Sequence, residues 1–336
     1  MSPNPSPPTL TDASECVFDG RILALAGGVG AARLLRGLVR AVDPTKLDVI
    51  VNTGDDRVFY GAFVSPDLDI VTYTLAGAVD MTRGFGLEGD RYDLMDRLEA
   101  LGHETWFRLG DRDFAHCLHR KLRMDEGVGL AALADELRRE HALPCRLLPM
   151  TEDPAPTRVQ LDDGRDLHFE EYLVRERSPA NVSGVDLSAA KAAKPGPGVL
   201  DAIANAEVVI VCPSNPIVSI GPILAVPGVR EAIEARGVPI VAISPIIGGA
   251  PVKGPADHLL RASGCDVSAL GVATLYRDWI DGFVFDEVDQ VLLPAIEALG
   301  LHAIATPSLM KDIGVATALS ATAVELALSL RSAEAR

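Results

Sequence analysis

Four aspartates fall within fifteen residues of one another: Asp55, Asp56, Asp67 and Asp69. Hard cations such as Mg²⁺ take oxygen ligands, and one or two carboxylates together with substrate phosphates commonly hold them. A carboxylate left over from such a site can orient or deprotonate an attacking hydroxyl. We therefore expect Asp55, Asp56 and Asp67 as metal ligands, with Asp55 and Asp56 also as the catalytic pair. Helix caps in a solvated turn are the alternative for any single aspartate.

A glycine-rich turn, Gly27-Gly-Val-Gly30, follows an apolar run and precedes a helical pattern. Backbone N–H groups at such a helix start can approach a phosphate, which makes Gly28 and Gly30 phosphate-binding candidates. The turn is not a complete dinucleotide-binding motif, because Arg33 stands where the last glycine would be. It is not a Walker A loop either, because no Lys-Ser/Thr pair follows it. A tight strand-to-helix turn without a ligand is the structural alternative.

A second polar loop carries Ser214, Asn215 and Ser219 among several prolines. An asparagine amide offers both a hydrogen-bond donor and an acceptor, which suits the edge of a nucleobase. We therefore expect this loop to receive a nucleotide. Stiffening of the loop by its prolines is the alternative explanation.

Basic and aromatic residues complete the candidate site. An acidic protein needs local cations to receive an anionic substrate. Arg112 lies within the segment Gly110-Asp-Arg-Asp113, and Arg108 lies two residues before it. The segment Arg83-Gly-Phe-Gly86 places the ring of Phe85 between two glycines. This arrangement suits a flat ligand ring, although an ordinary surface turn has the same sequence.

The elements that must position these residues are those of a parallel α/β sheet. Apolar runs at 21–26, 48–51, 207–212 and 239–243 each end in a polar loop, and helical patterns alternate with them. Strands that are apolar on both sides are typical of a parallel sheet with helices on both faces. Ligands of open sheets bind beyond the carboxyl ends of the strands. The sequence therefore predicts a Rossmann-like α/β fold whose polar loops meet at one edge.

Two segments depart from this alternation, and one precedes it. A charged helical pattern predicts a helical insertion at about 87–143, and alternating runs around Asp162-Asp-Gly164 predict a β-hairpin over 157–174. The Pro- and Ser-rich residues 1–20 are expected to be a disordered tail. Residues 21–330 then form a single domain.

Composition excludes several classes of protein. The net charge of −16, from 31 Lys and Arg against 47 Asp and Glu, excludes a basic nucleic-acid-binding chain. The five cysteines are widely spaced without a C-x-x-C pair, so we expect reduced thiols. We expect no secretory signal in residues 1–20 and no apolar run of the roughly 20 residues that cross a bilayer. These features predict a cytoplasmic protein with neither membrane nor nucleic-acid partners.

Eight motifs, taken in order over residues 21–310, resemble those of the 2-phospho-L-lactate transferase (CofD) family. They are GGVGAARLLRGL (27–38), VNTGDD (51–56), SPDLD (65–69), RGFG (83–86), LGDRD (109–113), LLPMTEDP (147–154), PSNPIVSIGPILAVPG (213–228) and SPIIGGAPVKGPA (244–256). The last two are long enough to make the resemblance highly specific.

The resemblance implies an enzyme of coenzyme F420 biosynthesis. Members of the family transfer a phospho-acid from a guanosine diphospho-acid to the deazaflavin Fo (7,8-didemethyl-8-hydroxy-5-deazariboflavin). The reaction uses Mg²⁺, releases GMP and forms the precursor F420-0. Family members are often dimers, so a homodimer is expected.

The same resemblance implies roles for individual residues. Asp69 and Arg108 match the family's Fo-binding positions, and Phe85 stands where relatives often have a tryptophan, which keeps an aromatic face but loses an indole donor. The guanosine nucleotide and its phosphates would then meet the two loops already described, through Ser214, Asn215, Ser219, Gly28 and Gly30.

Three questions stay open or have rival answers. The family's donors carry phospholactate, phosphoenolpyruvate or 3-phosphoglycerate, and no residue pattern decides among these acids. A nucleotide-sugar-binding regulatory protein of the same superfamily is the alternative function. Such proteins carry a Gly- and Ser-rich extension after the paired acids, whereas Arg57-Val-Phe-Tyr60 follows here. A nicotinamide dehydrogenase is disfavoured by the incomplete glycine motif and by the paired Asp55 and Asp56.

Overall fold

Strands and helices alternate along most of the chain. The computed structural model describes residues 16–334. The strands are β1 (Ile22–Ala26), β2 (Leu47–Val51), β3 (Arg57–Phe59), β4 (Ala62–Val64), β5 (Arg146–Pro149), β6 (Arg158–Leu161), β7 (Asp166–His168), β8 (Val182–Asp186), β9 (Val208–Val211), β10 (Ile240–Ile243), β11 (Ile246–Ile247), β12 (Ala250–Pro251), β13 (Gly282–Asp286) and β14 (His302–Thr306). The helices are α1 (Gly28–Ala41), α2 (Pro66–Leu75), α3 (Asp93–Ala100), α4 (Asp111–Asp125), α5 (Leu130–Glu140), α6 (Ser188–Ala192), α7 (Val199–Asn205), α8 (Gly221–Ala225), α9 (Val229–Arg236), α10 (Ala256–Ala262), α11 (Ala269–Tyr276), α12 (Leu293–Glu297) and α13 (Ile313–Glu334). Short 3₁₀ helices lie at Pro44–Lys46 and Glu287–Leu292, and single π-helical turns at Glu171–Arg175 and Pro216–Ile220.

Seven strands form one sheet in the order β14-β13-β10-β9-β1-β2-β5. Every neighbouring pair in this sheet is parallel. The four predicted apolar runs are β1, β2, β9 and β10, within one residue at each end. The Rossmann-like parallel sheet is therefore confirmed.

Helices cover both faces of the sheet, as the doubly apolar strands predict. Side chains of β1 alternate: Ala24 lies in one buried cluster with α1, α2, α5 and α13, whereas Leu23 and Leu25 lie in another with α7, α9 and α11. The period-2 alternation of a strand sends successive side chains to opposite faces, so each strand contributes to two cores. The sheet is thus a rigid central layer from whose edge the polar loops extend.

The order of the strands creates a crevice beside β1. The chain passes from β1 to β2 and β5 on one side, and later returns to β9 on the other side of β1. Loops that leave β1 and β9 therefore diverge to opposite faces, and open α/β sheets bind their ligands at such switch points. The glycine turn follows β1, the VNTGDD segment follows β2 and the loop with Ser214 follows β9. Three of the predicted loops thus meet at one edge.

The predicted β-hairpin is present and is part of a larger unit. Strands β6 and β7 pair antiparallel, and β8 adds to the other edge of β6 as a third strand that the sequence did not predict. The second predicted run is shorter than expected, since β7 ends at His168 and the chain turns into the π-helix Glu171–Arg175. Phe169 and Tyr172 are buried there, so the apolar residues of this run pack as helix rather than strand.

The segment 87–143 is helical as predicted, with α3, α4 and α5 inside it. Most of the predicted tail, residues 1–15, lies outside the described residues. The last part of that tail, residues 16–20, contacts the domain, because Val17 N–H donates to the Ala41 carbonyl at 2.9 Å and Phe18 pairs with Val42. Ordered chain therefore begins before residue 21.

Helix α13 corrects one expectation from the sequence. Its residues Ile313–Ser332 are long and apolar enough, by length and composition, to cross a membrane. In the structure, Leu319, Ala323 and Ala327 of this helix are buried in the same cluster as α1. We infer that α13 is apolar because it is a core helix of this domain.

Close backbone approach joins α13 to α1. A Cβ atom on Gly37 would lie 2.2 Å from the carbonyl oxygen of Ala316, which is far inside van der Waals contact. Ser320 Oγ also donates to the Leu34 carbonyl at 3.2 Å across the same interface. Only glycine at position 37 allows the two helices this separation.

We predict that Gly37→Ala lowers the free energy of unfolding by about 1–3 kcal/mol, because the added methyl group meets backbone atoms that cannot rotate away. Urea denaturation measures this change. Gly314→Ala in α13 is the matched control, since the atom nearest its new Cβ is a side-chain oxygen of Asp312, at 3.2 Å. Equal stability of Gly37→Ala and wild type would show that the helices can separate without cost.

Candidate functional site

Asp67 joins the loops of β1 and β2 at the crevice. Its Oδ1 accepts the Gly28 N–H at 2.7 Å, and its Oδ2 accepts the Asn52 Nδ2–H at 2.9 Å. Asp67 lies in the first turn of α2, after the Ser-Pro start of that helix, and is only 6% exposed. A Cβ on Gly27 would lie 2.8 Å from Asp67 Oδ2 and 2.6 Å from Ser219 Cβ. Residues from three loops therefore pack around the glycine turn.

The predicted nucleotide loop is held against the same turn. Ser214 Oγ donates to the Gly27 carbonyl at 2.8 Å and accepts the Gly27 N–H at 3.1 Å. Asn215 Oδ1 accepts the Ile217 N–H at 3.0 Å and so caps the π-helix that follows. Among described residues, the Asn215 amide nitrogen has no hydrogen-bond partner. The loop is positioned by these contacts, and the Asn215 amide remains available to a ligand.

Gly28 and Gly30 have structural roles in the strand-to-helix turn. Such a turn was the alternative to phosphate binding in the sequence analysis. Gly28 has φ +71°, which favours glycine, and its N–H is occupied by Asp67. A Cβ on Gly30 would lie 2.3 Å from the Pro213 carbonyl oxygen. The first N–H groups of a helix have no partner within it, so a phosphate at this turn would meet Val29 and Gly30 rather than Gly28.

Three buried carboxylates share one environment next to this turn: those of Asp55, Asp67 and Glu170. Burial, and then the negative charges of Asp67 and Glu170, raise the pKa of Asp55 well above its usual range. Burial and Asp67 raise the pKa of Glu170 to about 8, and burial raises that of Asp67 to about 6. The Oδ1 atom of Asp55 is buried without a hydrogen-bond partner.

This set of donors fits a divalent cation. Buried carboxylates without a compensating charge are costly, and hard oxygen donors are the ligands that Mg²⁺ takes in proteins. The unpartnered Asp55 Oδ1 is the atom that such an ion would satisfy. Within residues 16–334, the ligand atoms of Asp55, Asp56 and Asp67 do not all lie within 4.8 Å of one another, as those of Asp69, Asp113 and Cys117 do. One or two of them suffice when substrate phosphates and water complete the coordination.

Asp56 differs from Asp55 in its surroundings. Its Oδ1 accepts the Ser65 hydroxyl at 2.7 Å, and burial raises its pKa well above the usual range. A cavity of about 370 Å³ reaches Asp56, and Thr53 and Arg57 also line it. Asp56 is therefore the carboxylate of the pair that a ligand in this cavity can approach, whereas Asp55 is enclosed.

Asp69 lies on the opposite side of α2 from Asp67. Two residues along a helix correspond to a rotation of about 200°, so the two carboxylates enter different environments. Arg120 of α4 donates to both oxygens of Asp69, one of them at 3.1 Å, and both side chains are buried. Cys117 and Asp113 lie within 4.8 Å of the Asp69 carboxylate. Arg120 already neutralises this cluster, which makes Asp69 a buried ion-pair partner.

The other two predicted Fo residues, Phe85 and Arg108, are connected through Tyr92. The guanidinium groups of Arg83 and Arg108 lie 4.7 and 5.6 Å from the centre of the Tyr92 ring, so Tyr92 links the 83–86 turn to Arg108. Phe85 in that turn is 52% exposed. Arg108 also pairs with Glu99 at 3.2 Å and with Asp96. The structure therefore connects the turn that carries Phe85 to Arg108 through Tyr92, whereas Asp69 pairs with Arg120.

Sequence reasoning missed four residues of this region: Asn52, Tyr92, Arg120 and Glu170. Asn52 could have been found, because it directly follows a predicted strand and precedes the paired aspartates. The others lie in the helical insertion or in the segment that forms a π-helix, and no local pattern links them to the sheet edge.

A parallel sheet with a polar crevice at its switch point defines a Rossmann-like α/β protein. The model of the family described as 2-phospho-L-lactate transferase CofD matches residues 22–303. The chain therefore belongs to the CofD family and is a transferase. The sequence resemblance is confirmed.

Relatives with different names are similar to this chain. A phosphoenolpyruvate transferase of Kitasatospora aureofaciens is 44% identical over 93% of this chain and 99% of its own length. A 2-phospho-L-lactate transferase of Methanothermobacter thermautotrophicus is 41% identical over 87% of this chain and 94% of its own length. A UPF0052-family protein of Bacillus halodurans shares the fold with a TM-score of 0.60 at 17% identity, over 91% of this chain and 99% of that one.

We predict that Asp113→Asn reduces the pH dependence of stability. Burial and the charge of Asp69 raise the pKa of Asp113 to about 7 from an ordinary 3.8. Between these values the folded protein holds a proton that the unfolded chain releases, so the free energy of unfolding falls as pH rises. From pH 5 to pH 8, the free energy of unfolding measured by urea denaturation should fall by about 2 kcal/mol more in wild type than in the variant.

Asp201→Asn, an exposed carboxylate on α7, is the control and should leave the wild-type pH dependence in place. Identical pH slopes for wild type and Asp113→Asn would contradict the prediction.

Proposed function

We propose that the protein transfers a phospho-acid from a guanosine diphospho-acid to the terminal ribityl hydroxyl of Fo, which forms F420-0 and releases GMP. The observation that carries the proposal is the group of buried carboxylates Asp55, Asp67 and Glu170 with raised pKa values beside the glycine turn, in a chain of the CofD family. A crevice with an acidic edge accepts a diphosphate only together with a cation. We propose that Mg²⁺ is that cation.

The reaction proceeds as a displacement at the acid-bearing phosphorus. The hydroxyl oxygen of Fo forms a new bond to that phosphorus, and the bond to the bridging oxygen of the diphosphate breaks. GMP leaves with the electron pair of that bond. Asp56, reached from the cavity, accepts the proton of the hydroxyl.

The remaining residues bind and orient the donor. Asp55 and Asp67 hold the metal, which supplies charge neutralisation at the diphosphate. The N–H groups of Val29 and Gly30 face the phosphates at the start of α1. The Asn215 amide donates to the guanine. Ser219 lies beside it, with its N–H donating to the Asn215 carbonyl at 3.1 Å. Phosphoryl transfers depend mainly on positioning and electrostatics, so no protein nucleophile is required.

We further propose phosphoenolpyruvate as the acid of the donor. Five relatives that match over 93% of this chain are named phosphoenolpyruvate transferases, at 42–44% identity. Phospholactate and 3-phosphoglycerate donors are the comparators in the test. A homodimer in the cytoplasm completes the proposal.

We predict that the purified protein with Fo, Mg²⁺ and guanosine diphospho-enolpyruvate forms a phosphodiester product and GMP. Mass spectrometry identifies the product, and the same assay with the other two donors ranks the acids. Asp55→Asn should abolish GMP release, because it removes a charged metal ligand. Asp162→Asn, which changes an exposed acid in the turn after β6, is the control and should retain activity. No product from any of the three donors, together with tight binding of a nucleotide sugar, would favour the regulatory alternative.

We also predict that Arg108→Ala raises the Kd for Fo about tenfold, because it removes a cation and its stacking on Tyr92. Phe85→Ala should raise the Kd by a smaller factor, since a ring contact contributes about 0.5–1.5 kcal/mol. Titration by Fo fluorescence measures both. Arg91→Ala, an exposed arginine paired with Asp93, should bind like wild type. Unchanged affinity in the Arg108 and Phe85 variants would exclude this surface as the Fo site.

A further inference from the structure

Two basic side chains lie beneath the 83–86 turn, and neither has a role so far. A Cβ on Gly84 would lie 3.3 Å from Lys253 Nζ and 3.9 Å from a terminal nitrogen of Arg33. Lys253 Nζ also lies 3.5 Å from the Arg83 carbonyl oxygen and 5.4 Å from the centre of the Phe85 ring. Arg33 belongs to α1 and Lys253 to the loop between β12 and α10, so the fold brings together residues from distant parts of the sequence.

Neither cation is neutralised by the protein. Within residues 16–334, no carboxylate lies within 4.0 Å of Arg33 or Lys253, whereas Arg108 and Arg120 both have such partners. Partial burial and the neighbouring charge of Arg33 lower the pKa of Lys253. The chain has a net charge of −16, so carboxylates are abundant, and yet none pairs with these two cations. Like charges held close together without a counter-ion indicate that an anion from outside completes the site.

The pair lies beside the proposed phosphate turn. The same Cβ position on Gly84 is 4.0 Å from Val29 Cγ1, and Val29 is the residue between Gly28 and Gly30. Side chains of a helix lean towards its N-terminus, so Arg33 extends back towards this turn. An anion bound by Arg33 and Lys253 would therefore be next to a phosphate bound at the start of α1.

We propose that Arg33 and Lys253 bind the carboxylate of the donor's acid, the group by which the donor differs from a simple alkyl ester of GDP. This inference rests on the proposed function. The diphosphate already has the start of α1 and the metal carboxylates, but a carboxylate placed near Asp55 and Asp67 would be repelled. A guanidinium and an ammonium on the other side of the turn supply the attraction that a carboxylate needs. The pair thus selects donors that carry an acid.

The test compares two donors that differ only in this group: guanosine diphospho-lactate and the β-ethyl ester of GDP, which has no carboxylate. Calorimetric titration with Mg²⁺ and without Fo measures Kd for each donor without turnover. We expect wild type to bind the acid donor at least tenfold more tightly than the ethyl ester. Lys253→Met and Arg33→Met should each reduce this ratio several-fold, with little change in the Kd of the ethyl ester. Lys253→Arg should keep most of the ratio, because it retains the charge.

Matched controls are Arg40→Met, an exposed arginine two turns further along α1, and Lys191→Met, an exposed lysine on α6. Both should keep the wild-type ratio. If the Arg33 and Lys253 variants raise the Kd of both donors by the same factor, the carboxylate assignment is overturned in favour of general attraction to the diphosphate. An unchanged ratio in both variants would overturn the site altogether. Failure of wild type to bind either guanosine ligand would overturn the proposed function, and this inference with it.

Discussion

The carboxylate of Asp67 is the interaction on which the crevice depends. One of its oxygens fixes the start of α1 through Gly28 N–H, and the other fixes the end of β2 through Asn52. This bridge adds to a direct contact between the two loops, in which Asn52 N–H donates to the Ala26 carbonyl at 2.9 Å. Ser214 completes the arrangement from the other side of β1 by exchanging two hydrogen bonds with Gly27. Three strand ends are thereby held as one rigid surface.

Charge is distributed around α2 in two different ways. On one side, Arg120 neutralises Asp69 in a buried pair that anchors α4 to α2. On the other side, Asp55, Asp67 and Glu170 are buried with raised pKa values and without a cation close enough to pair with Asp55. Folding tolerates this cost because the free energy of the core exceeds it, and a bound cation would recover it. The buried pair of Asp69 and Arg120 is therefore structural. The buried carboxylates of Asp55, Asp67 and Glu170 are the functional candidates.

Basic residues show the same contrast. Arg108 and Arg120 pair with carboxylates of the chain, while Arg33 and Lys253 face each other under the 83–86 turn. The buried carboxylates of Asp55, Asp67 and Glu170 and the cations of Arg33 and Lys253 therefore both lie near the glycine turn. A ligand that carries phosphates, with a metal ion, and a further anionic group is complementary to this arrangement.

The sequence by itself determined the sheet, its helices, the family and the edge at which the chemistry lies, because apolar strands, glycine turns and polar strand ends are local patterns. It also identified Asp55, Asp67 and Ser219 as residues of that edge. Only the tertiary structure separated Asp67 from Asp69, since the difference is a rotation around a helix and depends on what α4 presents to it. Glu170, Tyr92 and the pairing of Arg33 with Lys253 likewise required the fold. Their partners are distant along the chain, and no local pattern records which side chains meet across such a distance.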